Sequence, residues 1–277
     1  VSRDNGETWG ELDLDPTTIG VCQAIERDAS GRWWAWLMHN DPGINEAVRV
    51  YVSSDEGVSW SFSGEVVGFP NVDSAGGLAI HPGDPNRVIG AYSTASAAPR
   101  FFRTLNGGAS WSVVSPTGLT SAIRTVVEWL PGGRLIAVYD QISTAKPQIA
   151  HSDDDGSTWT VDVTDTVDGN IQHIIRRHGD VVWVYLQLQS GSGGALYRST
   201  DGAVSWERAT MFDATGLTYD PALDVLYAIA DADGTPYRLV DAAARADWTS
   251  LTSASWEALV PPAGQITSAS CDMLVLV

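Results

Sequence analysis

One tryptophan recurs along the 277-residue chain at nearly constant spacing. Six such residues are separated by 51, 51, 48, 47 and 42 positions. Internal repeats of about 40–50 residues are typical of β-propellers and solenoid arrays, in which each repeat packs against its neighbours. A repetitive architecture is therefore the strongest constraint on the fold. The six residues are Trp9, Trp60, Trp111, Trp159, Trp206 and Trp248.

Five of the six tryptophans end an eight-residue motif, S/T-x-D/N-x-G/A-x-S/T-W, which we call the repeat turn. Its Asp can accept hydrogen bonds from backbone N–H groups of its own turn, and its hydroxyls add local bonds. Glycine permits a positive φ, and the tryptophan supplies a large buried anchor. We therefore expect a hairpin turn with a structural role for Asp4, Gly6, Trp9, Asp55, Gly57, Trp60, Asn106, Gly108, Trp111, Asp154, Gly156, Trp159, Asp201 and Trp206.

Two repeats depart from this motif. Ala203 replaces the glycine of the fifth repeat turn, so that turn must adjust or carry strain. The residues before Trp248 do not match the motif, although the tryptophan remains. We expect the last repeat to be the least regular.

The repeat turn resembles the Asp-box, or BNR repeat, of sialidases, xyloglucanase-type glycoside hydrolases, Vps10-type sorting receptors and photosystem assembly factors. The resemblance implies an all-β fold, a β-propeller of four-stranded antiparallel blades, with each turn between the third and fourth strands. Short apolar or alternating runs between the turns fit this arrangement. We predict inner strands at 77–81, 172–176 and 216–220, and second strands at 33–38, 88–92, 135–139, 181–186 and 225–230.

The run Trp33-Trp34-Ala35-Trp36 lies in one of these second strands. Side chains alternate between the two faces of a strand, so Trp34 and Trp36 should share one face and Trp33 should lie on the other. Both faces of a blade are packed, which favours a core role.

The two ends of the chain predict how the propeller closes. Residue 1 lies at the end of a predicted third strand, and 265–277 align with the first two strands of a repeat. Pairing these N-terminal and C-terminal strands in one blade would leave no long unpaired edge. We predict a single six-bladed propeller domain over 1–277. Because the chain starts inside a strand without an initiator Met, we also expect it to be covalently attached to further domains.

Composition narrows the choice of partners. Thirty-four acidic residues against sixteen basic ones give a net charge of −18, which repels nucleic-acid phosphates and anionic membrane surfaces. No run approaches the roughly 18 apolar residues of a membrane span, so we predict no membrane insertion. Cys22 and Cys271 should lie on opposite faces, which favours buried free thiols over a disulfide. We predict no cofactor, with Ca²⁺ bound by loop acids as an alternative.

The resemblance places ligands on the face opposite the repeat turns, at the mouth of the central channel. Loops and inner-strand ends there offer amides, carboxylates and a guanidinium, which suit hydrogen bonding to a sugar or a peptide; a solvated polar rim is the alternative interpretation. The predicted rim comprises Gln23, His39, Asp41, Asn45, Glu46, Arg124, Asp140, Lys146, Asp168, Gln172 and His173.

Sialidase chemistry is disfavoured by the arginines. That family binds its substrate carboxylate with three arginines, because a guanidinium pairs bidentately with a carboxylate. The rim contains only Arg124, and Tyr219 is placed where it should pack between blades. We predict a non-catalytic module that binds a cell-surface glycan or protein, in an extracellular or virion-associated protein such as a phage tail fibre. A glycoside hydrolase of sialidase-like fold that uses two loop carboxylates and an assembly scaffold are the alternatives.

Overall fold

The structure, a computed structural model, describes residues 20–39, 47–66, 72–94, 100–119, 122–141, 146–166, 168–188 and 193–259. These residues form five four-stranded sheets and two short 3-10 helices. The all-β prediction is therefore confirmed. The described part of the chain contains five sheets where six blades are predicted. The sixth would be built from residues at both ends of the chain, which lie outside the described ranges.

Every sheet is a meander in which consecutive strands are neighbours. The first two sheets contain β1 (Gly20–Arg27), β2 (Trp33–His39), β3 (Ala47–Ser53) and β4 (Ser61–Val66), then β5 (Val72–Ile80), β6 (Val88–Thr94), β7 (Arg100–Thr104) and β8 (Ser112–Val114). The third contains β9 (Ala122–Trp129), β10 (Leu135–Gln141), β11 (Lys146–Ser152) and β12 (Thr160–Thr164). The last two contain β13 (Gly169–His178), β14 (Val181–Leu188), β15 (Gly194–Ser199) and β16 (Glu207–Met211), then β17 (Ala214–Asp220), β18 (Val225–Ala230), β19 (Pro236–Val240) and β20 (Glu257–Ala258).

The chain divides into two compact units, Val1–Leu135 with Asp153–Trp159 and Ile136–Ser152 with Thr160–Val277. In the first unit, the alternation along β2 decides the core. Trp34 and Trp36 pack with Val48 and Val50 in one cluster, together with residues of β5, β6 and β7. Ala35 and its neighbours on the other face form a second cluster. Trp34 and Trp36 therefore share one face as predicted, and truncating either buried indole would cost about 3–5 kcal/mol.

The core of the second unit lies between its last two sheets. Trp183 and Tyr185 of β14 pack with side chains of β17, β18 and β19 and with Trp248, all of them buried. The Tyr219 ring lies 4.3 Å from the Trp183 ring, so Tyr219 packs between sheets as predicted. Its hydroxyl donates to the Asp224 carboxylate.

The repeat turns are stabilised by their own side chains. In the second turn, Asp55 Oδ1 accepts bonds from the Ser53 hydroxyl and the Ser59 N–H, both at 2.8 Å, and Oδ2 accepts the Ser59 hydroxyl at 2.6 Å. The Ser53 hydroxyl also accepts the Gly57 N–H at 2.8 Å. The bonds from Ser59 and Ser53 lower the pKa of Asp55 to about 2. The predicted structural role of these carboxylates is what this geometry supports.

Each of the four described repeat turns has two successive residues with positive φ, one more than the sequence pattern suggests. They are Glu56 at 59° and Gly57 at 81°, and their equivalents Asp155 at 59° and Gly156 at 82°. In the fifth turn the glycine occupies the first of these positions, with Gly202 at 70° and Ala203 at 63°. Ala203 therefore carries the predicted strain rather than changing the turn, and its N–H still bonds the Ser199 hydroxyl at 2.9 Å.

The last sheet is the least regular, as expected. Trp248 is fully buried but begins a 3-10 helix instead of preceding a strand, and β20 has only two residues. The turn before Trp248 is held from outside: the Asp224 carboxylate accepts the Ala243 N–H at 2.7 Å. A carboxylate from a neighbouring hairpin thus replaces the missing carboxylate of the turn itself.

Two expectations about burial are wrong. Cys22 is a free thiol, but it is exposed at the start of β1 rather than buried. Of the anchoring tryptophans in the described repeat turns, Trp159 is buried whereas Trp60, Trp111 and Trp206 are partly exposed. The strands β4, β8 and β16, which follow these three tryptophans, lie at the edges of their sheets.

Candidate functional site

The predicted rim residues fall into three groups. Asp41, Asn45 and Glu46 lie outside the described residues. The backbones of three others are described without their side chains: His39 on β2, Arg124 on β9 and Gln172 on β13. Gln23 is exposed on β1, and the side chains of Asp140, Lys146, Asp168 and His173 all lie in the second unit.

Asp140 and His173 form a buried pair. Asp140 is near the end of β10 and His173 is on β13, and Nε2 of the ring lies 2.9 Å from Asp140 Oδ1. Their side chains are 4% and 0% exposed. When Nε2–H of a neutral ring donates to the carboxylate, Nδ1 is left as an acceptor. No described residue bonds His173 Nδ1.

A second polar contact lies on the β10–β11 hairpin. The Tyr139 hydroxyl donates to Gln148 Oε1 at 2.5 Å, and Gln148 Nε2 donates to the Thr164 hydroxyl at 3.1 Å. Burial raises the pKa of Tyr139 to about 12, so the phenol remains a neutral donor. The amide of Gln148 is thereby fixed in one orientation between two strands.

Asp165, which directly follows β12, is the most buried carboxylate of this region. Its Oδ2 accepts the Tyr197 hydroxyl at 2.8 Å and Arg208 Nε at 2.9 Å, and its backbone N–H donates to the Pro147 carbonyl. Burial disfavours the Arg208 cation, but the bond and charge of Asp165 outweigh burial and raise the pKa of Arg208. Burial and the same carboxylate raise the pKa of Tyr197.

Lys146, the single lysine of the chain, begins β11. Its Nζ donates to the Thr166 carbonyl at 2.6 Å and to Asp168 Oδ1 at 3.1 Å. Lys146 and Arg208 therefore hold the segment between β12 and β13 from two sides. We call the set Tyr139, Asp140, Lys146, Gln148, Asp165, Asp168, His173, Tyr197 and Arg208 the polar cluster.

The predicted rim contains four members of the polar cluster, Asp140, Lys146, Asp168 and His173, and omits Tyr139, Gln148, Asp165, Tyr197 and Arg208. Of the omitted residues, Tyr197 and Arg208 lie on β15 and β16. These two residues face each other across β15 and β16 and meet Asp165 from another sheet. A contact between sheets leaves no periodic mark in the sequence. The only signal is that Arg208 stands two positions after the repeat-turn tryptophan, where the second, third and fourth repeats have Phe62, Val113 and Val161.

The cluster offers hydrogen-bond donors and acceptors but no shared metal site. Among the described residues, no group of three or more His, Cys, Asp or Glu side chains could hold a metal ion. Within those same ranges, no helix has the length and hydropathy needed to cross a membrane. The chemistry that this arrangement supports is hydrogen bonding by amides, hydroxyls and fixed ion pairs.

No protein-family model matches the chain, and no curated protein matches it in sequence. Several solved structures share its fold. A protein of unknown function from Dyadobacter fermentans aligns with 91% of this chain and 85% of its own, with a TM-score of 0.60 and 13% identity. The α-L-arabinanase of Penicillium chrysogenum, complexed with arabinobiose, aligns with 77% and 76%, a TM-score of 0.51 and 15% identity. YCF48 bound to a D1 peptide aligns with 88% and 68%, a TM-score of 0.51 and 18% identity.

These likenesses define the class of fold. The repeated four-stranded meanders, together with alignments that cover most of the chain, indicate a fold of the β-propeller type. At such low identities the likeness extends to the fold alone, because one fold hosts many unrelated activities. Function has to be argued from the side chains of this chain.

Proposed function

We propose that this chain is a recognition module that binds a cell-surface glycan or protein without chemical turnover. In this proposal it is a six-bladed Asp-box propeller, closed by pairing its terminal strands, within a larger extracellular or virion-associated protein such as a phage tail fibre. Its ligand meets the predicted rim, to which Asp140, Lys146, Asp168 and His173 of the polar cluster belong. Binding needs no resident cofactor, and Ca²⁺ is retained as an optional ligand of the loop acids.

One observation carries the proposal: the acids of the polar cluster are already engaged by groups of the chain itself. Asp140 is bound to His173, Asp165 to Arg208 and Tyr197, and Asp168 to Lys146. A hydrolase that acts through two carboxylates needs one as a proton donor and the other as a base or nucleophile. Carboxylates that are already hydrogen-bonded by donors of the chain instead orient those neighbouring groups, which is a binding arrangement.

Charge and fold support the same conclusion. A net charge of −18 favours uncharged or cationic partners over phosphate-rich ones. The arabinanase and YCF48 structures hold arabinobiose and a D1 peptide respectively. A propeller of this kind is therefore compatible with either a sugar or a peptide as ligand.

A glycoside hydrolase is the second candidate, favoured by the arabinanase among the similar structures. It requires two carboxylates in one pocket whose pKa values are pushed apart by their surroundings. Asp41 and Glu46, outside the described residues, are the remaining acids for such a pair. An assembly scaffold would instead present a contact surface without a ligand pocket.

The deciding experiment is a glycan-array screen of the labelled chain, with and without Ca²⁺, followed by product analysis of every glycan bound. We expect binding without products, weakened at least about tenfold by Gln172→Ala and by Arg124→Ala, since each change removes a hydrogen-bonding group. Arg238→Ala is the matched control, because Arg238 is exposed and pairs with Glu257 on an outer strand. Release of products, abolished by substitution of Asp41 or Glu46, would establish the hydrolase. An array without hits would direct the search to a protein ligand.

A further inference from the structure

The third repeat turn differs from the others in having an amide where they have a carboxylate. Asn106 Oδ1 accepts the Thr104 hydroxyl and the Ser110 N–H, both at 2.9 Å, as Asp55 Oδ1 does in the second turn. Asn106 Nδ2 then donates to the Ser110 hydroxyl at 2.8 Å. Because an N–H donor faces Oδ1, the orientation of the amide is defined by its partners.

Asn106 is followed by Gly107, and an asparagine that precedes glycine is the least protected against loss of its side-chain amide. Glycine has no Cβ to hinder its own nitrogen, and its backbone is the most mobile in an opened chain. We propose that Asn106-Gly107 is a spontaneous deamidation site that the folded repeat turn guards. We further infer that the aspartate product fits the same turn. Neither point depends on what the chain binds.

The reaction needs only water. The Gly107 nitrogen loses its proton to solvent and bonds to Asn106 Cγ, the Cγ–Nδ2 bond breaks, and Nδ2 leaves as ammonia. Water then opens the resulting five-membered imide at one of its two carbonyls. Opening at one carbonyl gives aspartate, and opening at the other gives isoaspartate, whose main chain is one carbon longer.

The fold holds both reacting groups away from this path. The Gly107 N–H donates to the Asn86 carbonyl at 2.9 Å, so the nitrogen that must attack is engaged with the adjacent turn. The Asn106 amide is fixed by Thr104 and Ser110. Thr104, 1% exposed, also accepts the Gly108 N–H at 2.9 Å and so ties the two ends of the turn together. Attack requires these bonds to open.

The two products should behave differently. An aspartate at position 106 would accept the Thr104 hydroxyl and the Ser110 N–H as before, and the Ser110 hydroxyl would turn from acceptor to donor. Asp55 and Asp154 already show that arrangement, with Ser59 and Thr158 donating their hydroxyls. Isoaspartate lengthens the main chain between Thr104 and Gly108, which the bond between these residues does not accommodate.

Peptide mapping of the whole chain tests whether the folded repeat turn slows deamidation. The protein is incubated in mildly alkaline buffer, once folded and once unfolded in urea, and then digested with trypsin. Cleavage after Arg103 and Arg124 yields a peptide that contains Asn106, separate from the other Asn-Gly pair at Asn5-Gly6. We expect conversion of Asn106 to be at least about tenfold slower in the folded chain, because several hydrogen bonds must open first. Equal rates in the two states would overturn the proposal.

Two further variants test the residues named. Thr104→Val removes the hydroxyl at nearly constant shape and should accelerate conversion in the folded chain. Thr104→Ser keeps the hydroxyl found in the other turns and should convert at the wild-type rate. Equal rates for these two variants would overturn the role of Thr104; if Thr104→Val does not fold, the comparison of folded and unfolded wild type decides. We expect the Asn106→Asp variant to unfold at the same urea concentration as the wild type. If this variant did not fold, the inference that aspartate fits the repeat turn would be wrong.

Discussion

Ala203 occupies a backbone conformation that glycine holds at the same position of the other described repeat turns. Its φ is 63°, against 81° for Gly57 and 82° for Gly156. A left-handed conformation costs a residue with a Cβ about 1–2 kcal/mol. The Ala203 methyl is fully buried, and a buried methyl returns about 0.8 kcal/mol. The strain and the burial nearly offset each other, which explains how the fifth turn keeps its form.

The same replacement of glycine by alanine should be tolerated less well at Gly156. A Cβ there would lie 3.0 Å from Ile89 Cδ1 and 3.5 Å from Leu135 Cδ2, at a φ of 82°. We expect Gly156→Ala to lower the free energy of unfolding by about 2–5 kcal/mol, the sum of left-handed strain and overpacking. Urea titration followed by tryptophan fluorescence measures the loss.

Gly202→Ala is the matched control for this prediction. Gly202 has a φ of 70°, but no atom lies within 4 Å of a Cβ built there. It should therefore lose only the strain, about 1–2 kcal/mol. If Gly156→Ala were no more destabilising than Gly202→Ala, contact with Ile89 would not matter.

At the scale of strands, the first two sheets meet through a glycine. Gly90 of β6 lies under the buried Trp36 ring, and a Cβ at Gly90 would approach that ring to 2.4 Å. The φ of Gly90 is not in the left-handed region, so alanine meets a steric obstacle only. We expect Gly90→Ala to destabilise the protein by about 1–3 kcal/mol through overpacking. Unfolding in urea measures this loss. Gly132→Ala is the control, because no atom lies within 4 Å of a Cβ built at Gly132. A smaller loss for Gly90→Ala than for Gly132→Ala would contradict the prediction.

The turn between β5 and β6 introduces a dependence on pH. His81 is buried beside the Trp129 ring, with ring centroids 4.9 Å apart, and its Nδ1 accepts the Gly83 N–H. Burial, and then the charge of Arg87, lower the pKa of His81 below its ordinary value of 6.5. The unfolded chain therefore binds this proton first, so stability is full above about pH 6.5 and falls as the pH drops below it.

His81→Asn tests this dependence. Asparagine retains an acceptor for the Gly83 N–H but does not titrate. We expect the free energy of unfolding of the wild type to fall more steeply than that of the variant between about pH 6.5 and pH 5. Parallel pH profiles for the two proteins would mean that His81 is not responsible.

At the scale of the whole molecule, local signals in the sequence were sufficient for the strands and insufficient for the contacts between sheets. The alternation at Trp34 and Trp36 correctly predicts a core strand, and Asp55 with Ser59 correctly predicts a self-bonded turn. The bond of Asp165 to Arg208 joins residues 43 positions apart. No local rule pairs them, because their meeting depends on how neighbouring sheets stack.

Arginine makes several of these contacts between sheets, and fifteen of the sixteen basic residues are arginine. Arg103 of β7 donates to the Asp155 carbonyl and to the Ser157 hydroxyl of the next repeat turn. Arg198 of β15 donates to the Ala242 carbonyl and lies over the Trp248 ring at 4.5 Å. In each case a planar guanidinium satisfies carbonyls at the end of a neighbouring turn, which a single ammonium group cannot do equally well.

Arg103→Lys tests whether these contacts matter to the assembled repeats. The partly buried guanidinium is replaced by an ammonium with different reach and no fork, so the carbonyl of Asp155 should lose its partner. We expect a loss of about 1–3 kcal/mol in the free energy of unfolding, the penalty for an unsatisfied polar group. Arg134→Lys is the control, since Arg134 pairs with the exposed Asp153 carboxylate and such surface pairs contribute about 0–1 kcal/mol. Equal losses in the two variants would mean that the arginine contacts between sheets contribute no more to stability than a surface ion pair. A larger loss for Arg103→Lys would mean that these contacts stabilise the packing of one repeat against the next.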